Sequence, residues 1–188
     1  MKFLRYHLPG TILGLALATA LSGASQAAVI FSQPGVNGGM ALEANYSSTG
    51  FFGIQNADSY SLATASTLTG VRWWGTDANS NLFVVRVFGN PSTDLAAPAI
   101  EALSGSVSKT PEAGVTDDAG SPVYRYEMTL SSSRALSAGV GYVSVYLDSD
   151  SDTWFWLQGI GSDQQSLFRG VEGAPWMLEP PDLSLELI

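Results

Sequence analysis

The chain has 188 residues, 17 acidic against eight basic side chains and a formal net charge of −9, which describes an acidic protein of about one-domain size. That balance repels nucleic acid and anionic lipid, so neither is expected as a partner. There is no cysteine, which excludes a disulfide scaffold, and the single histidine, His7, falls in the N-terminal leader described next, so histidine-based catalysis and the usual zinc, copper and iron sites are not expected.

In chain order, Lys2 and Arg5 open a basic segment, Thr11 to Leu21 is an apolar run too short to span a bilayer, and Ser25-Gln26-Ala27 has the small residues of a cleavage site. Residues 1–27 therefore read as a signal peptide, and the protein as secreted or periplasmic, with no transmembrane segment after cleavage. Residues 28–188 keep six bases against 17 acids, a net charge of −11, and are expected to form one domain.

Beyond the leader, short runs rich in Val, Tyr, Phe, Trp and Thr alternate with Gly, Pro, Asn, Asp and Ser, the pattern of an all-β chain. Strands are expected near 28–32, 59–62, 66–74, 82–88, 104–109, 123–130, 141–147, 153–157, 166–169 and 183–188. The stretches 33–49, 89–99 and 111–121 read as loops. Within the runs, Phe83, Val85 and Val87 share one face, and Tyr124, Tyr126, Met128 and Leu130 another, which suits an antiparallel β-sandwich of jelly-roll type. The terminal strand near Leu183–Ile188 is expected inside a sheet rather than at its edge.

Two segments carry the functional expectations. In Val71-Arg72-Trp73-Trp74-Gly75 the tryptophans must face opposite ways; Trp73, beside Val71, is the core member, and Trp74 lies with Arg72. In the segment from Gly141 to Gly159, a hairpin turning at Asp148–Asp152 would set Tyr146 opposite Trp154 and Ser144 opposite Trp156, gathering Tyr142, Tyr146, Trp154 and Trp156 on one face.

The runs "NADSYSLATASTLTGVRWWG", "FVVRVFG", "GYVSVYL" and "DTWFWLQG" resemble a family of secreted bacterial β-sandwich domains often found in proteins with Pro-Glu-Pro sorting tails. The matching positions are Ala57, Asp58 and Tyr60; Thr67, Val71, Trp73, Trp74 and Gly75; Tyr142 and Ser144; and Trp154 and Trp156. Tyr60 stands where phenylalanine is usual, and Glu179-Pro180-Pro181 is not the sorting signal. The resemblance implies export and a sandwich, and carries no activity.

Trp74, Arg72, Tyr142, Ser144, Tyr146, Trp154 and Trp156 are thus the candidate ligand-binding residues, as a platform on which a polysaccharide stacks; the bland alternative is packing under a loop or second layer. Trp176, after Pro175, would plug one end of the sandwich. Asp148, Asp150 and Asp152 place three carboxylates at alternate positions, a density that suits Ca2+, although position six is Thr153 and position twelve Gly159, unlike an EF-hand; the alternative is a solvated turn. Asp58, Asp117 and Asp118 could join such a site only if the fold brings them together. A carboxylate-based glycoside hydrolase is the least expected function, with Glu101, Glu127 and Asp58 in no distinctive constellation. The expected role is a non-catalytic binding or adhesion domain of the cell envelope or extracellular matrix. Its alternative is a structural matrix or biofilm protein with a Ca2+-assisted acidic surface.

Overall fold

A computed structural model describes residues 28–50, 52–88, 101–161 and 163–188. Among them there is no helix. The strands are β1 (Phe31–Gln33), β2 (Ala41–Glu43), β3 (Asn45–Ser47), β4 (Phe52–Gly53) and β5 (Gln55–Leu62). They continue as β6 (Ser66–Gly75), β7 (Phe83–Phe88), β8 (Glu101–Ala102), β9 (Gly105–Thr116) and β10 (Pro122–Leu136). Last come β11 (Gly139–Asp148), β12 (Phe155–Leu157), β13 (Ser166–Arg169), β14 (Met177–Glu179) and β15 (Leu185–Leu187).

Two sheets pack face to face, the β-sandwich expected from the alternation. The first runs β1-β15-β6-β10-β9, with β12 joined to β6 and β2 to β12. The second runs β14-β13-β5-β11-β3-β4, with β7 against β11 and β8 against β7. Every ladder is antiparallel except the short β3–β11 pairing. The terminal strand β15 lies between β1 and β6, so it is internal, as its apolar sequence requires.

The core lies between the sheets. Val71 and Trp73 of β6, Tyr126 and Met128 of β10, and Leu185 and Leu187 of β15 face Val85 and Val87 of β7 and Val143 and Val145 of β11. The Trp73 ring stacks on Tyr126 at 5.9 Å, and Phe83 sets its edge against Trp73 at 5.3 Å and Trp154 at 5.0 Å. Each large apolar side chain buried this way stabilises the fold by roughly 1.5–3 kcal/mol, and each ring pair adds about 0.5–1.5 kcal/mol. In a chain with no disulfide, this packing holds the layers together.

Gly75 shows how closely the layers fit. It pairs with Trp156 on one side and Tyr124 on the other, and a Cβ there would overlap both the Trp154 ring and the Phe155 carbonyl. The glycine ending "VRWWG" therefore makes room for the Trp154 indole, which is distant in sequence.

Several local expectations fail. The stretch 33–49 contains β2 and β3, short strands whose few residues show no usable alternation. The stretch 111–121 is strand as far as Thr116; Pro111 is tolerated because β9 is an edge strand, and the pairing shifts register between Pro122 and Tyr124. β5 begins at Gln55 rather than Ser59, and β14 was not expected at all. The expected loop 89–99 lies outside the described residues.

The largest correction concerns the hairpin. β11 belongs to the second sheet, but β12 pairs with β2 and β6 in the first. The segment between Asp148 and Phe155 crosses from one layer to the other, so side-chain parity does not carry through it. Tyr142, Ser144 and Tyr146 consequently share the side of β11 turned away from Val143 and Val145, opposite Phe88, Arg86 and Val84, although Tyr146 is buried in the same hydrophobic cluster that takes in Trp154 and Trp156.

Candidate functional site

The structure disperses the expected aromatic platform. Trp154 and Trp156 are fully buried, and Trp156 Nε1 donates to the Ser184 carbonyl at 2.7 Å. Tyr146 is buried edge-on against Tyr46 at 5.7 Å, with the Arg86 guanidinium 5.5 Å from its ring centre. Ser144 is buried and donates to the Asn56 carbonyl at 2.7 Å, so it offers nothing to a ligand. Tyr142, half-buried, packs with Ala57, Phe88, Leu167 and Trp176. Trp176 does not plug an end of the sandwich; it covers the outer face of the second sheet.

Trp74 and Arg72 point outward from the first sheet, as the alternation requires, yet neither is open. Trp74 lies under Val123, Leu157 and Val115, and its Nε1 donates to Glu112 Oε2 at 3.2 Å. Arg72 is clamped between Glu127, at 2.8 and 2.9 Å, and Glu186, at 2.5 Å. These carboxylates hold its guanidinium more firmly charged than usual, although burial works the other way. The seven candidates occupy three separate places, and the exposed stacking surface is not formed.

The run from Asp148 to Asp152 also diverges. Asp148 Oδ1 accepts from the Ser48 N–H at 2.9 Å. Asp150 accepts from the Ser47 hydroxyl and from Thr49 Oγ1 at 2.7 and 2.8 Å, contacts that hold its carboxyl below the ordinary range. Asp152 caps Asn79 and Ser80, accepting from their backbone N–H groups at 2.7 and 3.2 Å. Asp148 and Asp150 both tie down the segment 47–49 and Asp152 the segment 79–80, the work of turn residues, and the three do not converge as a metal-holding group.

A different acidic group comes together where β5 meets the segments leading into β13 and β15. Asp58, Asp163 and Asp182 bring carboxylate oxygens within 4.8 Å of one another, so this set can hold a metal ion. Asp58 is placed by the middle of β5, paired with Val143 and Ser166 and turned toward the core. There it is fully buried and accepts from Gln33 Nε2 at 2.8 Å, from the Ser59 N–H at 2.5 Å and from the Leu183 N–H. Gln33 Nε2 also donates to the Leu183 carbonyl at 2.7 Å, tying β1 to the segment entering β15.

Asp182 follows the cis Pro180–Pro181 bond and accepts from the N–H groups of Gln164 and Gln165 at 3.0 and 3.2 Å. Gln164 adopts φ of 58°, which turns both N–H groups toward that one carboxylate. Gly161 lies against the Asp182 carboxyl, where a Cβ would overlap it. Asp163 is exposed; its Oδ1 accepts from the Gln165 N–H at 3.3 Å and its Oδ2 from the Ser59 hydroxyl at 3.4 Å.

The electrostatics follow from burial and like charge. Burial pushes Asp58 up to about 8, with Asp182 and Asp163 adding repulsion, while the Leu183 and Ser59 N–H groups pull the other way. Burial and then the hydrogen-bonded Asp163 carboxyl push Asp182 up to about 6. Such carboxyls are neutralised by protons or by a cation. Three oxygen donors with no nitrogen or sulfur suit a hard divalent ion such as Ca2+.

Sequence reasoning named Asp58 but neither partner. "GSDQQS" and "EPPDL" form no recognised motif, and the three carboxylates belong to segments far apart in the chain. No family model matches the chain, and no match was found among curated proteins or among solved structures.

Proposed function

We propose that this chain is an exported, non-catalytic β-sandwich that serves as a structural and binding module of the cell envelope or extracellular matrix, with Ca2+ at Asp58, Asp163 and Asp182 acting as a lock. The observation that carries this reading is the convergence of three carboxylates from three separate segments within 4.8 Å. A cation there would discharge a repulsive cluster and tie β5 to the two segments leading into β13 and β15. Asp58 and Asp182 are buried and only Asp163 is exposed, which favours a stabilising role over a hydrolytic one that needs two carboxyls open to a substrate cleft. The leader-like N-terminus and the resemblance to exported bacterial sandwiches support the location, where millimolar Ca2+ is ordinary.

The test is a melting curve of EDTA-stripped protein with and without Ca2+, beside the Asp163→Asn variant. Ligand at about 100 times its Kd stabilises by roughly 2.7 kcal/mol, and at this size each kcal/mol moves Tm by about 2–4 °C. Millimolar Ca2+ is therefore expected to raise Tm by about 5–10 °C in the wild type and much less in the variant. Superimposable wild-type curves with Ca2+ and with EDTA would refute the lock.

A further inference from the structure

The outer face of the second sheet carries an arrangement that neither the core nor the acidic cluster accounts for. Glu172, on the exposed segment linking β13 to β14, lays its carboxylate across that face. Arg86 Nη1 donates to both of its oxygens at 2.8 and 2.7 Å, Arg169 Nη2 to Oε1 at 2.7 Å, and Gln55 Nε2 to Oε2 at 2.9 Å. Each oxygen thus accepts two hydrogen bonds, four in all from three donor nitrogens.

The donors are built in, whereas the acceptor rests on top. Gln55 and Arg169 are buried and braced by each other, Arg169 Nε donating to Gln55 Oε1 at 2.8 Å. The Arg169 guanidinium is further fixed 4.5 Å from the Trp176 ring centre, and that of Arg86 lies against Tyr146. By contrast, the Glu172 side chain is 43% exposed, against 5% for Arg169. Two guanidiniums share one carboxylate here, in a chain where acids outnumber bases 17 to eight.

We propose that Arg86, Arg169 and Gln55 form a carboxylate-recognition site for a uronate-bearing polysaccharide, with Glu172 as its built-in occupant and competitor. The ligand's carboxylate accepts the same four hydrogen bonds from the three donor nitrogens as Glu172 swings out. A glycan fits better than an acidic peptide because β5, β7 and β13 each pair with strands on both sides. Their main-chain groups are engaged in ladders, so a peptide could not add a strand beside the donors themselves; among the described residues the nearest terminal strands are β14 and β8, each one strand away. This site is separate from the cation lock and does not depend on it.

The experiment is calorimetric titration, at one fixed Ca2+ concentration, of a short galacturonate oligomer, a neutral galactan oligomer and oligoglutamate into four proteins. These are the wild type, Glu172→Ala, Glu172→Gln, and Glu172→Ala combined with Arg86→Gln. Removing the internal competitor is expected to tighten galacturonate binding about tenfold or more, the equivalent of a single lost charge-assisted contact. Adding Arg86→Gln is expected to abolish it, and neither control ligand should bind comparably. Folded Glu172 variants that do not bind galacturonate would overturn the proposal, as would binding unchanged by Arg86→Gln. Equal binding of oligoglutamate would overturn the glycan assignment in favour of an acidic protein partner. Glu172→Gln keeps the side-chain length, so failure of the alanine variant to fold leaves the question decidable. Because the lock is read by melting with EDTA and this site by titration at constant Ca2+, the two proposals fail separately.

Discussion

The buried Asp58 carboxyl predicts an unusual dependence of stability on pH. In the folded protein it titrates at about 8, against 3.8 for the free side chain. Between those values the unfolded chain releases a proton that the folded chain retains. The raised value therefore contributes stability that is complete below pH 4 and is lost as pH climbs toward 8, at about 1.4 kcal/mol per pH unit. Taken over the whole window the loss is as much as about 6 kcal/mol; relaxation around the carboxylate leaves roughly 2–3 kcal/mol to be seen. For a domain of this size that is a fall in Tm of about 5–10 °C between pH 5 and pH 8. The assay is differential scanning calorimetry in EDTA across that range, with Asp58→Asn beside the wild type. Asparagine keeps the acceptor for Gln33 and the Leu183 N–H but cannot ionise, so its profile should be flatter by that amount. Ca2+ should flatten the wild-type profile too, because a bound cation replaces the proton. Parallel profiles for wild type and Asp58→Asn in EDTA would show that the carboxyl does not stay protonated and would refute the reasoning.

Gly75→Ala should destabilise the protein by about 1–3 kcal/mol, read as a lower denaturation midpoint with unchanged m, because the new methyl overlaps the Trp154 ring and the Phe155 carbonyl. Trp154→Ala should cost about 3–5 kcal/mol, as removal of a fully buried indole does, without altering galacturonate binding to the Glu172 variants. Loss of that binding in a folded Trp154→Ala protein would instead return the indole to the ligand site.

The core was legible because alternation is a local property. Phe83, Val85 and Val87, and Tyr126 with Met128, face inward as their spacing requires, and Trp73 rather than Trp74 enters the core because Val71 shares its side. The same rule misplaced Trp154 and Trp156 because it was carried across Asp148–Asp152 as though one sheet continued. A crossover resets parity, and nothing in five turn-favouring residues distinguishes a hairpin from a change of layer. The acidic cluster was illegible for another reason: Asp58, Asp163 and Asp182 meet only after β5, β13 and β15 have found their neighbours. Short-range pattern carries no record of such long-range closure.

One signal for the outer face of the second sheet was nevertheless in the sequence. In Phe83–Phe88, Arg86 shares its side with Val84 and Phe88, and in Ser166–Arg169, Arg169 shares its side with Leu167. A charge set among apolar neighbours on the supposedly solvated side of a strand implies that this side is covered, since otherwise the apolar residues would face water to no purpose. It also implies that the cover brings a carboxylate, since a guanidinium as buried as that of Arg169 is costly without one. Glu172 and Trp176 are that cover, one meeting the charge and the other the apolar surface. Sparse charge inside an apolar strand was therefore a better pointer to the covered polar network around Glu172 than the conspicuous tryptophans. The tryptophans are where burial is most favourable, whereas the arginines are where the fold has had to supply a partner.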